Sequence, residues 1–337
     1  MREVPEGTPD LRQLRIACLG DYIKYPSYFN IGVLEGSIRC GAWFRPIPIF
    51  GSSLDVVQEQ IDFFKPHIML THCIFNRAPH NRDRVFDMLA RARKRWGTFI
   101  CYHMGDARKE PRYPHDISHI VDIGLVNNGE LDRWSGIWHV PCYHWPYAAL
   151  YQTEINSFDQ RFESGVVFTG GLGGNEHHAA RAGFVDQLKK EVPVKIYPDE
   201  QWGNSRFLTA EVAASSEAVL GFQMGGDIHG YEDVRPFQYI GAGALYFHNK
   251  HRNMDLFFND GEHYVSFDGT AKGFCEAYRS IAGDHGKAHA IRAAGFDFCQ
   301  KYHSTQRRMQ LVIDIYSGKD PGNIIYLKDI EANREAI

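Results

Sequence analysis

The amino-acid sequence predicts an α/β protein made of two doubly wound, Rossmann-like domains that face each other across a cleft. Strand-like apolar runs alternate with helix-like segments in both halves of the chain, which is typical of βαβ units around a parallel sheet. The alternation stops at residues 145–164, which read as a linker, and then restarts. A chain of 337 residues is long enough for two hydrophobic cores.

The first half supplies six strands in this prediction, at 14–21, 46–50, 67–75, 98–106, 119–128 and 138–144. Helices are predicted between them at 29–43, 53–64 and 82–96. The helix at 53–64 has the clearest start, because Ser53 is a suitable N-cap and the apolar residues after it recur at helical spacing.

The second half repeats the pattern with predicted strands at 165–171, 194–198, 218–223, 244–249 and 263–267. A helix is predicted at about 176–191, with further helices between and after the later strands. We therefore expect domains at 1–148 and 149–317, followed by a polar tail at 318–337 that could add a final helix.

The composition is that of an ordinary globular protein with a net charge of −4. No segment reaches the roughly 18 consecutive apolar residues that a membrane helix needs, so we expect no membrane insertion. The charged, proline-containing N-terminus does not read as a secretory signal. The 7 cysteines are odd in number and include no C-x-x-C pair, which favours free thiols in a cytoplasmic protein.

A glycine-rich turn follows the first strand of the second half and opens a helix. Such glycines let the backbone approach a diphosphate, and the free N–H groups of a helix start favour anions. His177 and Arg181, in the first turns of that helix, are candidates to reach the same anion. A purely structural turn is the alternative. The glycines of this turn are Gly170, Gly171, Gly173 and Gly174.

Several elements recur in a fixed order between residues 216 and 316. The segment reads SEAVLGFQ, then GYEDVRPFQYIGAGALYFHN, LFFNDGEHYVSFD and AIRAAGFDFCQKYHSTQRRMQLVIDIY. This succession resembles the C-terminal half of GT-B glycosyltransferases of the CgeB-like group. The matching positions are Arg235, Phe237, Gln238, Gly241, Gly243, Ala244, Asp260, Gly261, Glu262, Gly295, Tyr302, His303, Thr305 and Arg308.

The resemblance implies a GT-B glycosyltransferase that takes a nucleotide-sugar, most often a UDP-sugar, as co-substrate and needs no other cofactor. It places Arg235 near the donor phosphates, although an ion pair with a neighbouring carboxylate is the alternative. Gln238 stands where the group usually has a glutamate that binds the ribose hydroxyls; glutamine still accepts a hydrogen bond but carries no charge. Gln223 and His229, in the loop after strand 218–223, are expected to line the donor.

By analogy, the acceptor site belongs to the first domain, where an inverting enzyme needs a base for the acceptor hydroxyl. Asp21 and Asp106 follow predicted strands and are the best candidates for that base. Acceptor-binding candidates are Tyr22, Tyr25, His72 and Arg77. The chain has no D-x-D motif, so we expect metal-independent catalysis and no metal site.

Basic residues are concentrated at 77–112, where ten basic and four acidic side chains give +6. This excess indicates a polyanionic acceptor, and within the group the leading candidate is a 5-hydroxymethylpyrimidine in DNA, flipped out of the duplex. An exposed helix face is the structural alternative. Glycans, cell-wall polymers and small metabolites remain open as acceptors.

Two functions of other classes also remain open. A sugar-nucleotide epimerase or hydrolase shares the expected fold. A non-catalytic sugar-nucleotide-binding module is suggested by Gln238 in place of glutamate.

Overall fold

The computed structural model describes residues 10–20, 22, 28–72, 82–104, 116–170, 172, 176–197, 208–223, 228–319 and 326. The chain divides into two compact units, each built on its own parallel sheet. The N-terminal unit comprises residues 1–146, 228–231 and 305–322, and the C-terminal unit comprises 147–227, 232–304 and 323–337.

The N-terminal unit contains a six-stranded parallel sheet in the order β2-β1-β3-β4-β5-β6. Its strands are β1 Arg15–Gly20, β2 Trp43–Pro48, β3 Ile68–His72, β4 Phe99–Met104, β5 Ile123–Val126 and β6 Cys142–His144. Its helices are α1 Tyr28–Arg39, α2 Leu54–Phe64, α3 Arg82–Trp96 and α4 Leu131–Trp138, together with α11 Thr305–Tyr316 near the end of the chain.

The C-terminal unit contains a five-stranded parallel sheet in the order β11-β10-β9-β7-β8. Its strands are β7 Ser164–Thr169, β8 Val194–Tyr197, β9 Ser216–Gly221, β10 Tyr246–Asn249 and β11 Val265–Phe267. Its helices are α5 Glu176–Leu188, α6 Thr209–Ser215, α7 Val234–Ile240, α8 Met254–Phe257, α9 Ala271–Ala282 and α10 His285–Tyr302.

The first sheet is covered on both faces, as parallel sheets generally are. Along β1, Ala17 and Leu19 belong to one buried cluster, while Ile16 and Cys18 belong to another. Successive side chains of a strand point to opposite faces, so one short apolar run serves two layers of helices. This explains why β1 reads as a continuous apolar run rather than an alternating one.

The final helix belongs to the N-terminal unit, whereas the predicted second domain, 149–317, included it. Helix α11 packs against α1 within the N-terminal unit, where Thr305 Oγ1 donates a hydrogen bond to Glu35 Oε2. At Gly36 of α1 an added Cβ would overlap the carbonyl oxygen of Thr305 and lie 2.7 Å from Met309 Cγ. The two helices therefore approach closely because α1 has no side chain at this position.

The predicted linker at 145–164 packs largely within the C-terminal unit. Ala149 is fully buried, and its N–H donates to the carbonyl oxygen of His303. Ile155 packs on Gly243, and Ser164 already belongs to β7. Most of this segment is thus part of the C-terminal unit. Of the predicted tail, only Gly318, Lys319 and Tyr326 lie among the described residues.

Two local predictions also need correction. The helix predicted at 29–43 ends at Arg39, because Gly41 adopts a φ of +81° and the chain enters β2 at Trp43. Helix α4, which had not been predicted, occupies the gap between β5 and β6. In the part of the chain that the structure describes, no helix is long and apolar enough to cross a membrane.

Candidate functional site

The strand order of the C-terminal unit defines a place where a ligand could bind. The chain leaves β7 toward β8 on one side and leaves β9 toward β10 on the other. The connections therefore diverge at the carboxyl ends of β7 and β9, which are neighbours in the sheet. Such switch points leave a crevice, and ligands of doubly wound sheets bind there.

Two arginine side chains converge on this switch point. Arg235 Nη1 donates a hydrogen bond to the carbonyl oxygen of Thr169 at 2.8 Å, and Arg181 Nε donates to the carbonyl oxygen of Phe222 at 3.2 Å. A Cβ added to Gly170 would lie 2.6 Å from Arg235 Nη1 and 3.4 Å from Arg181 Nη1. The missing side chain at Gly170 therefore leaves room for both guanidinium groups.

The backbone at Gly170 favours glycine for a second reason. Its φ of +131° lies in a region that residues with a Cβ rarely adopt. Glycine at the exit of β7 therefore suits both this backbone conformation and the space beside the arginines.

Arg235 is oriented by its own helix terminus. Asp233 is the N-cap of α7, and its Oδ1 accepts a hydrogen bond from the backbone N–H of Arg235 at 2.8 Å. The same carboxylate forms an ion pair with the Arg235 guanidinium. The expected alternative role, an ion pair with a neighbouring carboxylate, is therefore present. The site therefore contains two guanidinium groups and one carboxylate. Its net charge is positive, which suits an anionic ligand.

Gln223 stands at the exit of β9, fixed through its backbone. Asn249, the last residue of β10, accepts a hydrogen bond from the Gln223 N–H at 2.8 Å and donates one to its carbonyl oxygen at 3.0 Å. The side chain of Gln223 is buried, and its Oε1 has no hydrogen-bond partner among the described residues. Gln238, predicted to bind ribose, is also buried and lies on α7, the helix that carries Arg235.

His229, predicted to line the donor, belongs to the other unit. Residues 228–231 belong to the N-terminal unit, where the His229 carbonyl oxygen accepts a hydrogen bond from the Gly129 N–H. His144 Nε2 donates to the neighbouring carbonyl oxygen of Gly230 at 3.1 Å. Gly171, Gly173 and Gly174 lie outside the described residues, and of His177 only the backbone, in α5, is described.

Four further polar residues of this unit were missed by sequence analysis. Tyr246 and His248 lie two residues apart on β10, and Glu232 and His251 lie before α7 and after β10; all four are buried. The run ALYFHN places Tyr246 and His248 on one face of a strand by alternation, but only the structure shows that this face is buried. Buried polar side chains in such a strand require partners, which distinguishes them from core residues.

The N-terminal unit has its own switch point, between β1 and β3. His72 lies there at the end of β3, and its Nδ1 is 2.8 Å from Nδ1 of His103 at the end of β4. The ring of Phe29 stacks on both histidines, at 4.4 and 4.3 Å between ring centres. Burial, followed by the charge of His72, lowers the pKa of His103 well below its usual value.

Only some of the predicted acceptor-side residues can be placed. Tyr22 is half-buried beside Cys18, and burial raises the pKa of its phenol. Asp21, Asp106, Tyr25 and Arg77 lie outside the described residues. Of the predicted catalytic and acceptor-binding residues, the structure therefore positions Tyr22 and His72.

Part of the described basic segment is paired with carboxylates. Arg93 Nη2 lies 2.8 Å from Asp122 Oδ1, and Arg95 Nη1 lies 3.3 Å from Asp62 Oδ2. Arg91 and Lys94 line an open surface cavity of about 420 Å³ with Gln58, Asp62 and Arg95. Within the described ranges, no group of three His, Cys, Asp or Glu side chains is arranged to hold a metal ion.

Comparison with known proteins identifies the fold. A family model described as glycosyl transferase-like matches residues 181–314, the stretch that carries Arg181, Arg235 and strands β8 to β11. No curated protein matches the chain in sequence.

Several solved structures match almost the whole chain in three dimensions. A glycosyltransferase from Rickettsia africae ESF-5 is 10% identical, with a TM-score of 0.61 over 91% of this chain and 98% of that one. Anabaena HepE in complex with UDP and glucose is 9% identical, with a TM-score of 0.58 over 91% and 100%. Sucrose-phosphate synthase from Thermosynechococcus elongatus is 10% identical, with a TM-score of 0.55 over 91% of this chain and 100% of that one. The predicted fold class, GT-B with two Rossmann-like domains, is thereby confirmed.

Proposed function

We propose that the protein is a glycosyltransferase that binds a nucleotide-sugar, UDP-linked in the first instance, at the switch point of the C-terminal sheet. The observation that carries this proposal is the convergence of Arg181 and Arg235 on Gly170. Both arginines belong to the stretch that matches the glycosyl transferase-like family model. A guanidinium group can donate two parallel hydrogen bonds to phosphate oxygens. The diphosphate of a nucleotide-sugar supplies such oxygens.

The choice of UDP rests on similarity of fold. HepE, whose structure contains UDP and glucose, shares the fold at 9% identity. The two arginines suit a diphosphate, but no described contact distinguishes one nucleotide base from another. Membership of the CgeB-like group is part of the proposal and rests on the residues of 216–316 that resemble it.

In the transferase the diphosphate is the leaving group, and its negative charge grows as the glycosidic bond breaks. Arg181 and Arg235 would stabilise that charge more strongly in the transition state than in the bound donor. Asp233, by holding Arg235 in place, reduces the reorganisation that this requires. We propose that the nucleotide-sugar is the only co-substrate besides the acceptor and, because the sequence has no D-x-D motif, that catalysis is metal-independent.

The acceptor remains a separate part of the proposal. A 5-hydroxymethylpyrimidine in DNA was the leading single candidate because of the excess of basic residues at 77–112. The pairing of Arg93 with Asp122 and of Arg95 with Asp62 reduces the number of charges available to a polyanion. A glycan or small-molecule hydroxyl is therefore an equal candidate.

The test is release of nucleoside diphosphate from UDP-sugars by the full chain, with each acceptor in turn. Release that depends on DNA containing hydroxymethylcytosine or hydroxymethyluracil, with a matching mass gain on the base, would establish the DNA acceptor. Release that depends on a glycan would keep the transferase and reject DNA. Conversion of the sugar without an acceptor would identify an epimerase or hydrolase instead, and binding without turnover would identify a non-catalytic module.

A further inference from the structure

A second polar group lies beside the two arginines, formed by Tyr246 and His248 on one face of β10. Their rings stack with centres 5.9 Å apart. Both lie over Gly221 at the end of β9, where an added Cβ would overlap Tyr246 Oη and lie 3.0 Å from His248 Cδ2. The absence of a side chain at Gly221 therefore makes room for the polar ends of both residues at the switch point.

Both side chains present an unpaired polar atom in a buried position. Tyr246 is 0% exposed and His248 is 1% exposed. Tyr246 Oη and His248 Nε2 have no hydrogen-bond partner among the residues that the structure describes. Leaving a buried polar atom unpaired is unfavourable, so an atom of this kind without a partner in the protein is suited to pair with a ligand or a bound water.

The hydrogen-bonding character of these two atoms is fixed by their surroundings. His248 Nδ1 donates to the carbonyl oxygen of Asn249 at 2.8 Å, so the ring proton sits on Nδ1 and Nε2 is an acceptor. Burial lowers the pKa of His248 to about 4, which keeps the ring neutral at physiological pH. Burial also raises the pKa of Tyr246, so its hydroxyl stays protonated and can both donate and accept.

A buried carboxylate is connected to this group through His251. Glu232 is fully buried; its Oε1 accepts a hydrogen bond from the Asp233 N–H at 3.0 Å, and its Oε2 lies 3.4 Å from His251 Nδ1. The His251 ring meets the His248 ring edge-on at 6.2 Å between centres. Gly221 directly precedes Phe222, whose carbonyl oxygen accepts the hydrogen bond from Arg181 Nε, so Tyr246 and His248 lie next to the arginine pair.

We propose that Tyr246 and His248 bind neighbouring hydroxyl groups of a sugar ring in the nucleotide-sugar. This inference rests on the proposed function and assigns a hydroxyl-binding subsite beside the phosphate-binding arginines. Neighbouring sugar hydroxyls suit both atoms, because one can donate to His248 Nε2 while the other accepts from Tyr246 Oη. A phosphate oxygen finds no donor at Nε2 and is repelled by Glu232, and an apolar group would leave both atoms unpaired.

The hydroxyls could come from the ribose or from the transferred sugar, and binding measurements distinguish these sources. Wild-type protein is titrated calorimetrically with ADP, CDP, GDP and UDP. The best-bound diphosphate is then compared with its 2′-deoxy and 3′-deoxy analogues and with its glucose, galactose, xylose and N-acetylglucosamine esters. The same ligands are titrated into Tyr246→Phe, which removes only the hydroxyl.

The matched control is Tyr264→Phe in the same unit. Tyr264 is also buried, but its hydroxyl donates to Asp255 Oδ1 at 3.0 Å and thus has a partner within the protein. We expect Tyr264→Phe to leave every ligand affinity within twofold of wild type.

If the ribose supplies the hydroxyls, Tyr246→Phe weakens the diphosphate and its sugar esters alike by about tenfold, and a deoxy analogue shows no further loss in the variant. If the transferred sugar supplies them, the variant weakens only the sugar esters. The inference is overturned if wild type binds the diphosphate and its sugar esters, yet Tyr246→Phe changes no affinity more than twofold. Failure of wild type to bind any of these nucleotides would instead overturn the proposed function, and the inference with it.

Discussion

Gly170 combines a backbone conformation that favours glycine with the space in which Arg181 and Arg235 converge. We predict that Gly170→Ala weakens binding of the nucleoside diphosphate by about tenfold or more. The new Cβ would lie only 2.6 Å from Arg235 Nη1, so the guanidinium group would have to move. The φ of +131° adds a strain of about 1–3 kcal/mol to the folded state. Titration calorimetry and urea unfolding measure the two effects separately.

The matched control for this change is Gly183→Ala. Gly183 lies in α5, and nothing lies within 4 Å of an added Cβ there. Since alanine favours helices more than glycine does, Gly183→Ala should raise the free energy of unfolding by about 0.5–1 kcal/mol and leave binding unchanged. Unaltered binding by Gly170→Ala would show that the space beside Gly170 is not used by the ligand.

The candidate site was only partly predictable from the sequence at the level of residues. Gly170, Arg181 and Arg235 could be singled out because glycine turns and arginines at strand exits have a direct physical meaning for anions. Tyr246 and His248 were hidden in a strand-like run, since burial cannot be read from the run itself. The pairing of Arg235 with Asp233 needed the helix terminus that brings the two side chains together.

Among the elements, the pair α1 and α11 shows how the chain end contributes to the N-terminal unit. We predict that Gly36→Ala lowers the free energy of unfolding by about 1–3 kcal/mol, because its Cβ would overlap the carbonyl oxygen of Thr305 and force the helices apart. Urea denaturation measures the loss.

Gly136→Ala serves as the matched control for this packing. Gly136 lies in α4 and has nothing within 4 Å of an added Cβ, so the change should stabilise the protein slightly. Equal effects of the two substitutions would contradict the assignment of close packing between α1 and α11.

Most elements could be predicted because each has a strong local signal. The helix at 82–96 was predicted with the bounds that the structure has, and the strands were located to within a few residues. Helix α4 was not, because its eight residues are too few for a clear period between two strands. The place of α11 in the N-terminal unit depends on tertiary contacts, which local periodicity does not contain.

For the whole molecule, buried neutral histidines make stability depend on pH. Burial lowers the pKa of His144 to about 3 and that of His248 to about 4, while an unfolded histidine titrates near 6.5. Below pH 6.5 the unfolded chain binds protons that the folded chain does not, so stability is full above that pH and falls with acidification. We predict a continuous loss of unfolding free energy from pH 7 to pH 5.

His144→Gln tests this pH dependence. Glutamine keeps an N–H that can donate to the Gly230 carbonyl oxygen but does not titrate. Between pH 7 and pH 5, the variant should therefore lose about 2 kcal/mol less unfolding free energy than wild type does. Urea unfolding at both pH values measures the difference. An unchanged slope would show that His144 is not held neutral in the folded protein.

The central claim is that the arginine pair at the switch point of the C-terminal sheet binds the diphosphate of a nucleotide-sugar. Its most direct test is calorimetric titration of ADP, CDP, GDP and UDP into wild type, Arg181→Ala and Arg235→Ala. Arg161→Ala is the control, since this exposed arginine pairs with Asp159 away from the site. We predict that wild type binds one of these nucleotides, that each site variant loses about 1–3 kcal/mol of binding free energy, and that the control loses none. Binding that is absent from wild type, or unchanged in both site variants, would contradict the account.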